Sequence, residues 1–220
     1  MSLEIKPTAD GSPTILSKQF GVTYHSIHGA IQETKHVFIA AGYHHFSNVS
    51  ALSILDIGLG TGLNAYMTFL ENQRNGKQVT YTGIEAYPIS IEQAALLNYP
   101  ELLQDEQYTS VFHRIHNSDF EERVSFSEHF SFEKRLMKFE ELEDRMTYNL
   151  IYFDAFAPTA QPELWEESLL KKMYDALLPD GVLVTYCAKG VVKRTLKSLG
   201  FSIEALPGPP GKREMTRAKK

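Results

Sequence analysis

Disulfide bonding within the chain is excluded at the outset, because its 220 residues include one cysteine, Cys187. Single-cysteine usage fits a reducing cytoplasm, and cytoplasmic localisation is the expectation. Cys187 falls in an apolar strand pattern and reads as a small buried residue rather than a nucleophile. No apolar run approaches the roughly 18–20 residues that a transmembrane helix needs, so no membrane partner is expected. The start, Met1 to Thr8, lacks the apolar centre of a signal peptide. Eight histidines show no ligand spacing with cysteine or aspartate, so no metal is expected. No repeat or low-complexity tract is present.

Positive charge is also scarce, with a net formal charge of −5, which argues against nonspecific nucleic-acid binding. The average conceals an asymmetry. Residues 101–146 carry twelve acids against six Lys and Arg, whereas residues 189–220 carry nine Lys and Arg against Glu204 and Glu214. A basic C-terminal face suits phosphates, and equally suits a solvated helix and tail. Hydrophobic content of 43% and charged content of 22% belong to an ordinary globular chain, long enough for one α/β domain with an extension.

What is present begins at residues 54–64, Ile-Leu-Asp-Ile-Gly-Leu-Gly-Thr-Gly-Leu-Asn. An apolar strand, an acid, and glycines at 58, 60 and 62 predict a strand, a tight turn and a helix start. Glycines in such a turn let backbone approach a ligand without an intervening Cβ. The spacing is G-x-G-x-G rather than the dinucleotide G-x-G-x-x-G, and Asp56 precedes it by two residues. In this form it resembles motif I of class I S-adenosylmethionine (AdoMet) methyltransferases. NAD or FAD binding, or a glycine turn without ligand, are the alternatives.

Strand-then-helix units follow from Leu52, the mark of a parallel sheet covered on both faces. Strands are expected at Leu52–Ile57, Val79–Ala86, Val111–His116, Asn149–Phe153, Gly181–Ala188 and Phe201–Leu206. Helices are expected at Leu63–Leu70, from Pro88, at Leu164–Leu178 and at Lys189–Leu199. Residues 119–146 read as a charged, loosely helical insertion. The Pro/Gly turn at 207–211 is too short for a helical crossover, so a seventh strand over 212–218 must run antiparallel. Residues 1–50 form a small N-terminal extension, with a hairpin at 13–27 and a short helix after His28, packed on a main domain of 51–220. A Rossmann-like, mostly parallel seven-stranded sheet ending in an antiparallel hairpin is the AdoMet-methyltransferase variant of the doubly wound fold, whereas a dinucleotide fold continues with parallel units.

In such sheets the ligand lies outside the carboxyl ends of the strands. Glu85, 23 residues after Gly62, has the separation of an acid that accepts from ribose hydroxyls. Asp119, after the expected third strand, is placed to accept from an adenine amino group, and is equally a favoured helix N-cap. Asp56, the turn residues Gly58, Gly60, Thr61 and Gly62, and Asn64 are expected around the methionine end of the cofactor.

The most specific stretch is Ile151-Tyr-Phe-Asp-Ala-Phe-Ala-Pro-Thr-Ala-Gln-Pro-Glu-Leu-Trp165. Its Asp-Ala-Phe-Ala-Pro and Pro-Glu-Leu-Trp resemble the methyltransferase domain of the bifunctional tRNA wobble-uridine enzymes of the MnmC family. Gln32-Glu-Thr-Lys-His-Val-Phe38, Gly58-Leu-Gly-Thr-Gly-Leu-Asn64 and Gly211-Lys-Arg-Glu-Met215 agree, so the resemblance runs over roughly residues 20 to 217. It implies methyl transfer from AdoMet to the amine of 5-aminomethyl-(2-thio)uridine at the wobble position of tRNA, giving 5-methylaminomethyl-(2-thio)uridine. The tRNA anticodon stem-loop is then the partner. The family's flavin oxidoreductase domain has no counterpart in these residues, which reads as a stand-alone protein and leaves its step to a separate flavin oxidoreductase.

Under this resemblance Asp154 is the catalytic candidate. A primary alkylamine is mostly ammonium near neutral pH, and a carboxylate can attract it, orient it and accept a proton. Phe156 is a candidate platform for a splayed-out uracil, or simply packs over its loop. Lys212, Arg213 and Glu214 are candidates for the substrate side, with Lys189, Lys193 and Arg194 nearby; alternatively Arg213 and Glu214 form a strand-edge pair. Glu33 is expected at the substrate mouth, or in a helix cap. Two other functions use the same fold: an aminopropyltransferase of the spermidine-synthase type acting on a polyamine, and a noncatalytic tRNA-binding subunit. The Lys-Arg-Glu-Met terminus has no use in the first, and the intact acids and glycines argue against the second.

Overall fold

The computed structural model describes residues 3–18 and 20–220. Among the described residues, eleven strands and seven α-helices follow in chain order. Three short strands, β1 (Leu3–Pro7), β2 (Pro13–Ser17) and β3 (Val22–Thr23), make an antiparallel sheet, so the hairpin expected at 13–27 gains a third strand. The helix after His28 is α1 (Ala30–Thr34), continued by a π-helical stretch over Lys35–Ala40. Ile15, Ala30, Val37, Phe38 and Tyr43 are buried in one cluster with residues of the main sheet, which packs this segment against the larger domain.

The main sheet contains β4 (Ala51–Ile57), β5 (Gln78–Glu85), β6 (Arg123–Ser127), β7 (Phe130–Leu136), β8 (Tyr148–Phe153), β9 (Leu177–Thr185), β10 (Ser202–Pro207) and β11 (Glu214–Lys219). Their order is β10-β11-β9-β8-β4-β5-β7-β6, eight strands where seven were expected. β4, β5, β7, β8 and β9 run parallel; β6 pairs antiparallel with β7, and β11 with both β9 and β10. The antiparallel terminal hairpin therefore lies at one edge, and β11 begins beside the carboxyl end of β9, with Thr216 opposite Thr185.

Helices cover both faces: α2 (Leu63–Asn75), α3 (Ile91–Ala95), α4 (Tyr99–Leu102), α5 (Thr109–Asn117), α6 (Glu167–Ala176) and α7 (Gly190–Ser198). α3 opens at a Ser90/Gln93 capping box rather than at Pro88: Gln93 N donates to Ser90 Oγ at 3.2 Å, and Ser90 N to Gln93 Oε1 at 2.9 Å. The helix expected at 164–178 breaks at Glu166 into a 3₁₀ turn, Pro162–Trp165, and α6. Leu177 onward already belongs to β9, which absorbs Pro179-Asp180-Gly181 as a bulge with Asp180 at φ 63°.

The third expected strand is a helix. Val111, Phe112 and Ile115 are buried while His113 and Arg114 face water, a helical stripe rather than an alternation. The third parallel strand is instead β7, inside the segment read as a charged insertion. Glu133, Lys134 and Arg135 disguised it. Each is satisfied by a partner: Glu133 receives Arg123 at 2.6 Å and Arg135 at 2.7 Å, Arg135 also reaches Asp144 at 2.7 Å, and Lys134 donates to the His116 carbonyl. Paired charges can occupy a covered strand that its composition makes look like loop.

Candidate active site

Register places the chemistry. Ile57 pairs with Ile84 on one side and Phe153 on the other, so Gly58, Glu85 and Asp154 leave three adjacent strands at one level. Strand order reverses between β4 and β8, which makes this edge the topological switch point. Gly58 (φ 93°) and Gly60 (φ 49°) fold the turn; a Cβ would stand 3.1 Å from the Asp154 carbonyl at Gly58 and 3.0 Å from the Tyr24 ring at Gly60. Gly60 N donates to Glu85 Oε2 at 2.9 Å, and Tyr87 N to Glu85 Oε1 at 2.8 Å. Burial raises the Glu85 pKa above its ordinary value, while the amides of Tyr87, Gly60 and Ala86 oppose that rise.

A cavity opens over this edge. Gly58, Gly60, Thr61, Asn64, Glu85, Asp154 and Phe156 are on its wall. Three expected residues are not. Gly62 caps α2, and a Cβ there would meet His116 Nε2 at 2.9 Å, so its role is close packing on α5. Asp56 is fully buried beneath the turn, where Tyr81 Oη donates to its Oδ2 at 2.6 Å. Asp119 follows a helix instead of a strand end and is exposed, outside the cavity. At the true end of β7 the wall is Lys138, Phe139 and Glu140.

The extension supplies wall residues that motif reading missed: Phe20, Tyr24 and His25. Phe156 faces them, with ring centroids 5.3 Å from Phe20 and 5.2 Å from Tyr24. Phe156 therefore borders the cavity, packed against aromatics of the extension. His25 Nε2 is 2.7 Å from Thr61 Oγ1, and burial pushes its pKa down to about 4, so it is neutral. Aromatics flanking Gly21 were the available signal, but nothing in their spacing says that this segment reaches the glycine turn.

A second, shallower groove is lined by Ala157, Pro158, Tyr186, Lys212, Arg213 and Glu214 among others. Loop residues 154–158 are shared between the two, Asp154 to Phe156 on the cavity side and Ala157 and Pro158 on the groove side. The loop is pinned: Tyr186 Oη donates to the Ala155 carbonyl at 2.8 Å and Trp165 Nε1 to the Phe156 carbonyl at 2.8 Å. Asn64, on the cavity wall, donates to Asp154 Oδ2 at 2.9 Å and accepts from Thr34 Oγ1 of α1 at 3.1 Å. Burial, with Glu33 and Asp56 nearby, lifts Asp154 well above the usual carboxylate range, against the Asn64 hydrogen bond and the Lys212 charge. Glu33 is buried and pairs with Lys212 at 2.5 Å; Glu214 pairs with Lys193 at 2.8 Å; Arg213 is exposed.

Comparison with known proteins decides the family. A model of S-adenosyl-L-methionine-dependent methyltransferases matches residues 99–220. The chain belongs to that family. The methyltransferase is 30% identical over 227 residues to the tRNA 5-methylaminomethyl-2-thiouridine biosynthesis bifunctional protein MnmC of Marinomonas sp. (strain MWYL1), covering 94% of this chain and 32% of that protein. It thus spans about a third of the length of the curated relatives it matches. The crystal structure of MNMC2 from Aquifex aeolicus aligns with TM-score 0.80 and 26% identity, over 99% of this chain and 69% of that one. Spermidine synthase from Thermotoga maritima shares the fold, with TM-score 0.56 and 14% identity over 100% of this chain and 71% of that one.

AdoMet is the cofactor of this family, and the methyltransferase's residues fit it. Gly58 and Gly60 hold a turn where a Cβ would crowd the Asp154 carbonyl and the Tyr24 ring, and Glu85 offers further carboxylate lone pairs on the cavity wall. Beneath the turn and off that wall, Asp56 Oδ1 is, with Ser118 Oγ, a buried side-chain atom lacking a partner among the described residues. Burial raises Asp56 to about 7. The sign follows from linkage. A carboxyl whose folded pKa exceeds its unfolded value contributes stability below about pH 3.8, and that contribution is lost as pH rises towards 7, by about 4 kcal/mol at most. Asp56→Asn is therefore expected to melt higher than the wild type by several degrees at about pH 8, and to lose that advantage below about pH 4. An unchanged difference across the titration would place the cost elsewhere.

Proposed function

We propose that this methyltransferase acts on the primary amine of 5-aminomethyl-(2-thio)uridine at the tRNA wobble position, producing 5-methylaminomethyl-(2-thio)uridine. The observation that carries this reading is the shared loop. Asp154 stands on the wall of the cavity at the switch point, and three residues further, at Ala157, the same loop borders a groove with Lys212 and Arg213. The name of the Marinomonas relative supplies the substrate class, and the Asp-Ala-Phe-Ala-Pro and Lys-Arg-Glu-Met stretches that carry the likeness line these two regions.

Bound AdoMet supplies an electrophilic methyl on a sulfonium. Asp154, oriented by Asn64, would attract the substrate ammonium and take up one of its protons, which frees the lone pair that forms the new N–C bond as the methyl–sulfur bond breaks and S-adenosylhomocysteine is left. Much of the acceleration comes from holding nitrogen and methyl in line, for which the pinned loop is suited. Phe20, Tyr24 and Phe156 exclude water from the cavity.

The test is incubation with methyl-labelled AdoMet and tRNA lacking the final methyl, beside a parallel arm with decarboxylated AdoMet and putrescine. Label in a wobble nucleoside is the expected result. Aminopropylated product, or binding of tRNA with no label transferred, would overturn the reading in favour of the polyamine enzyme or the noncatalytic subunit. Arg213, exposed on the groove, is assigned to a backbone phosphate. Arg213→Ala should weaken tRNA binding most at low salt and reduce the slope of log K against log salt by about 1. An unchanged slope would assign it to the hairpin alone.

A further inference from the structure

Lys212 sits between an acid and an aromatic ring from two other segments of the chain. Its Nζ lies 2.5 Å from Glu33 Oε1 and 3.8 Å above the centroid of the Tyr186 ring. An acid on one side and an aromatic face on another make a cage for an ammonium ion. Tyr186 is tied through its hydroxyl to the carbonyl of Ala155, the residue after Asp154, and Glu33 precedes Thr34, which reaches Asp154 through Asn64. The cage is therefore built into the framework that holds the candidate catalytic carboxyl.

We propose that Glu33 and Tyr186 form the subsite for the substrate's primary alkylammonium, and that the Lys212 ammonium is a displaceable internal occupant of it. This rests on, and deepens, the functional reading above. The lysine terminus, an ammonium on a methylene, is the same chemical group as an aminomethyl substituent. Walls and occupant differ in anchoring. Glu33 is only 6% exposed and its Oε2 accepts from Ser26 N at 2.9 Å, so it stays in place whatever occupies the cage. Lys212 is 31% exposed, sits outside any strand, and follows the Pro207–Gly211 turn. It can swing into the groove it already lines, beside Arg213 and Lys189.

Energetics favour exchange over simple filling. A buried carboxylate left without a counter-charge is strongly destabilising. Lys212 prevents that in the substrate-free protein, and replacement of one ammonium by another leaves the carboxylate's desolvation unchanged. A hydroxyl in place of the amine offers no such exchange, so the device selects amine over alcohol. The displaced lysine becomes available to an RNA phosphate, which couples occupancy of the cage to engagement of the polynucleotide.

The test uses the free nucleoside 5-aminomethyluridine, which has no phosphates, titrated calorimetrically into the full chain saturated with S-adenosylhomocysteine. Lys212→Met removes the competitor and should tighten nucleoside binding about tenfold or more, whereas Glu33→Gln should weaken it by at least as much. Neither variant should bind 5-hydroxymethyluridine better than the wild type does. Equal or weaker amine binding by Lys212→Met makes Lys212 a permanent strut and overturns the inference. Should that variant fold poorly, the wild type carries the test through its lysine ¹⁵N signals: the Lys212 ammonium, identified by its loss in Lys212→Arg, should take on solvent-like exchange when the nucleoside saturates, and continued protection overturns the proposal. The two readings separate cleanly. Methyl transfer to tRNA without tightening in Lys212→Met removes only the displacement device, while no transfer to any aminomethyl tRNA removes the function on which it rests.

Discussion

Asp154→Asn is expected to lower kcat for methyl transfer by about 10²–10⁴-fold, the range that a positioned proton acceptor supplies, while the fold survives. The replacement keeps an oxygen for the Asn64 amide, which donates to Asp154 at 2.9 Å, so the loop over the cavity has no steric reason to move. On the proposed reading it removes the charge that attracts an ammonium and the base that receives its proton. Circular dichroism and S-adenosylhomocysteine titration should show a folded protein that binds the demethylated cofactor within about tenfold of the wild type. Full activity in this variant would remove Asp154 from the chemistry. The pH profile gives an independent check. Burial and the neighbouring Glu33 and Asp56 hold Asp154 protonated beyond the ordinary carboxylate range, and only its ionised form attracts an ammonium or accepts a proton. The ratio kcat/KM should therefore rise with pH along an acid limb lying above that range, and this limb should vanish in Asp154→Asn.

Glu85→Gln should raise the dissociation constant for AdoMet by about 100-fold. Glu85 accepts hydrogen bonds from Gly60 N and Tyr87 N that shape the turn, and on the proposed reading its remaining carboxylate lone pairs accept from ribose hydroxyls. An amide turns a donor towards one of those backbone N–H groups and reduces the acceptors available. Hydrogen bonds to a charged group contribute about 1.5–3 kcal/mol each, so loss on both sides amounts to about 3 kcal/mol. Isothermal titration with S-adenosylhomocysteine measures this directly. A constant within threefold of the wild type would show that ribose recognition lies elsewhere on the wall, with Lys138 and Glu140 at the end of β7 as the next residues to examine.

Local chemistry was legible wherever one segment carried its own instructions. The apolar run into Asp56 and the spaced glycines specify strand, turn and helix without reference to the remainder of the chain. The short Pro/Gly link at 207–211 requires an antiparallel return because no crossover helix fits in it, and β10 and β11 pair that way. Charge misled where pairing was hidden. β7 looked like solvated insertion because the ion pairs of Glu133 and Arg135 are made with Arg123 and Asp144, residues that sequence alone does not bring together. With β7 disguised in this way, Val111 to His116 reads in the sequence as the missing strand and Asp119 as a strand-end acid, whereas the structure has a helix there.

By itself the sequence determined the doubly wound core, the glycine turn at its switch point, and the placement of Glu85 and Asp154 at the ends of their strands, because periodicity and turn chemistry act between neighbours along the chain. Only the tertiary structure decided that Phe20, Tyr24 and His25 from the extension complete the wall of the cavity at the switch point, that Asp56 lies beneath the turn, and that Lys212 rests between Glu33 and Tyr186. Those contacts join residues up to 179 positions apart. They depend on how a small N-terminal sheet and a C-terminal hairpin dock at one edge of the same sheet, and no local propensity encodes that arrangement.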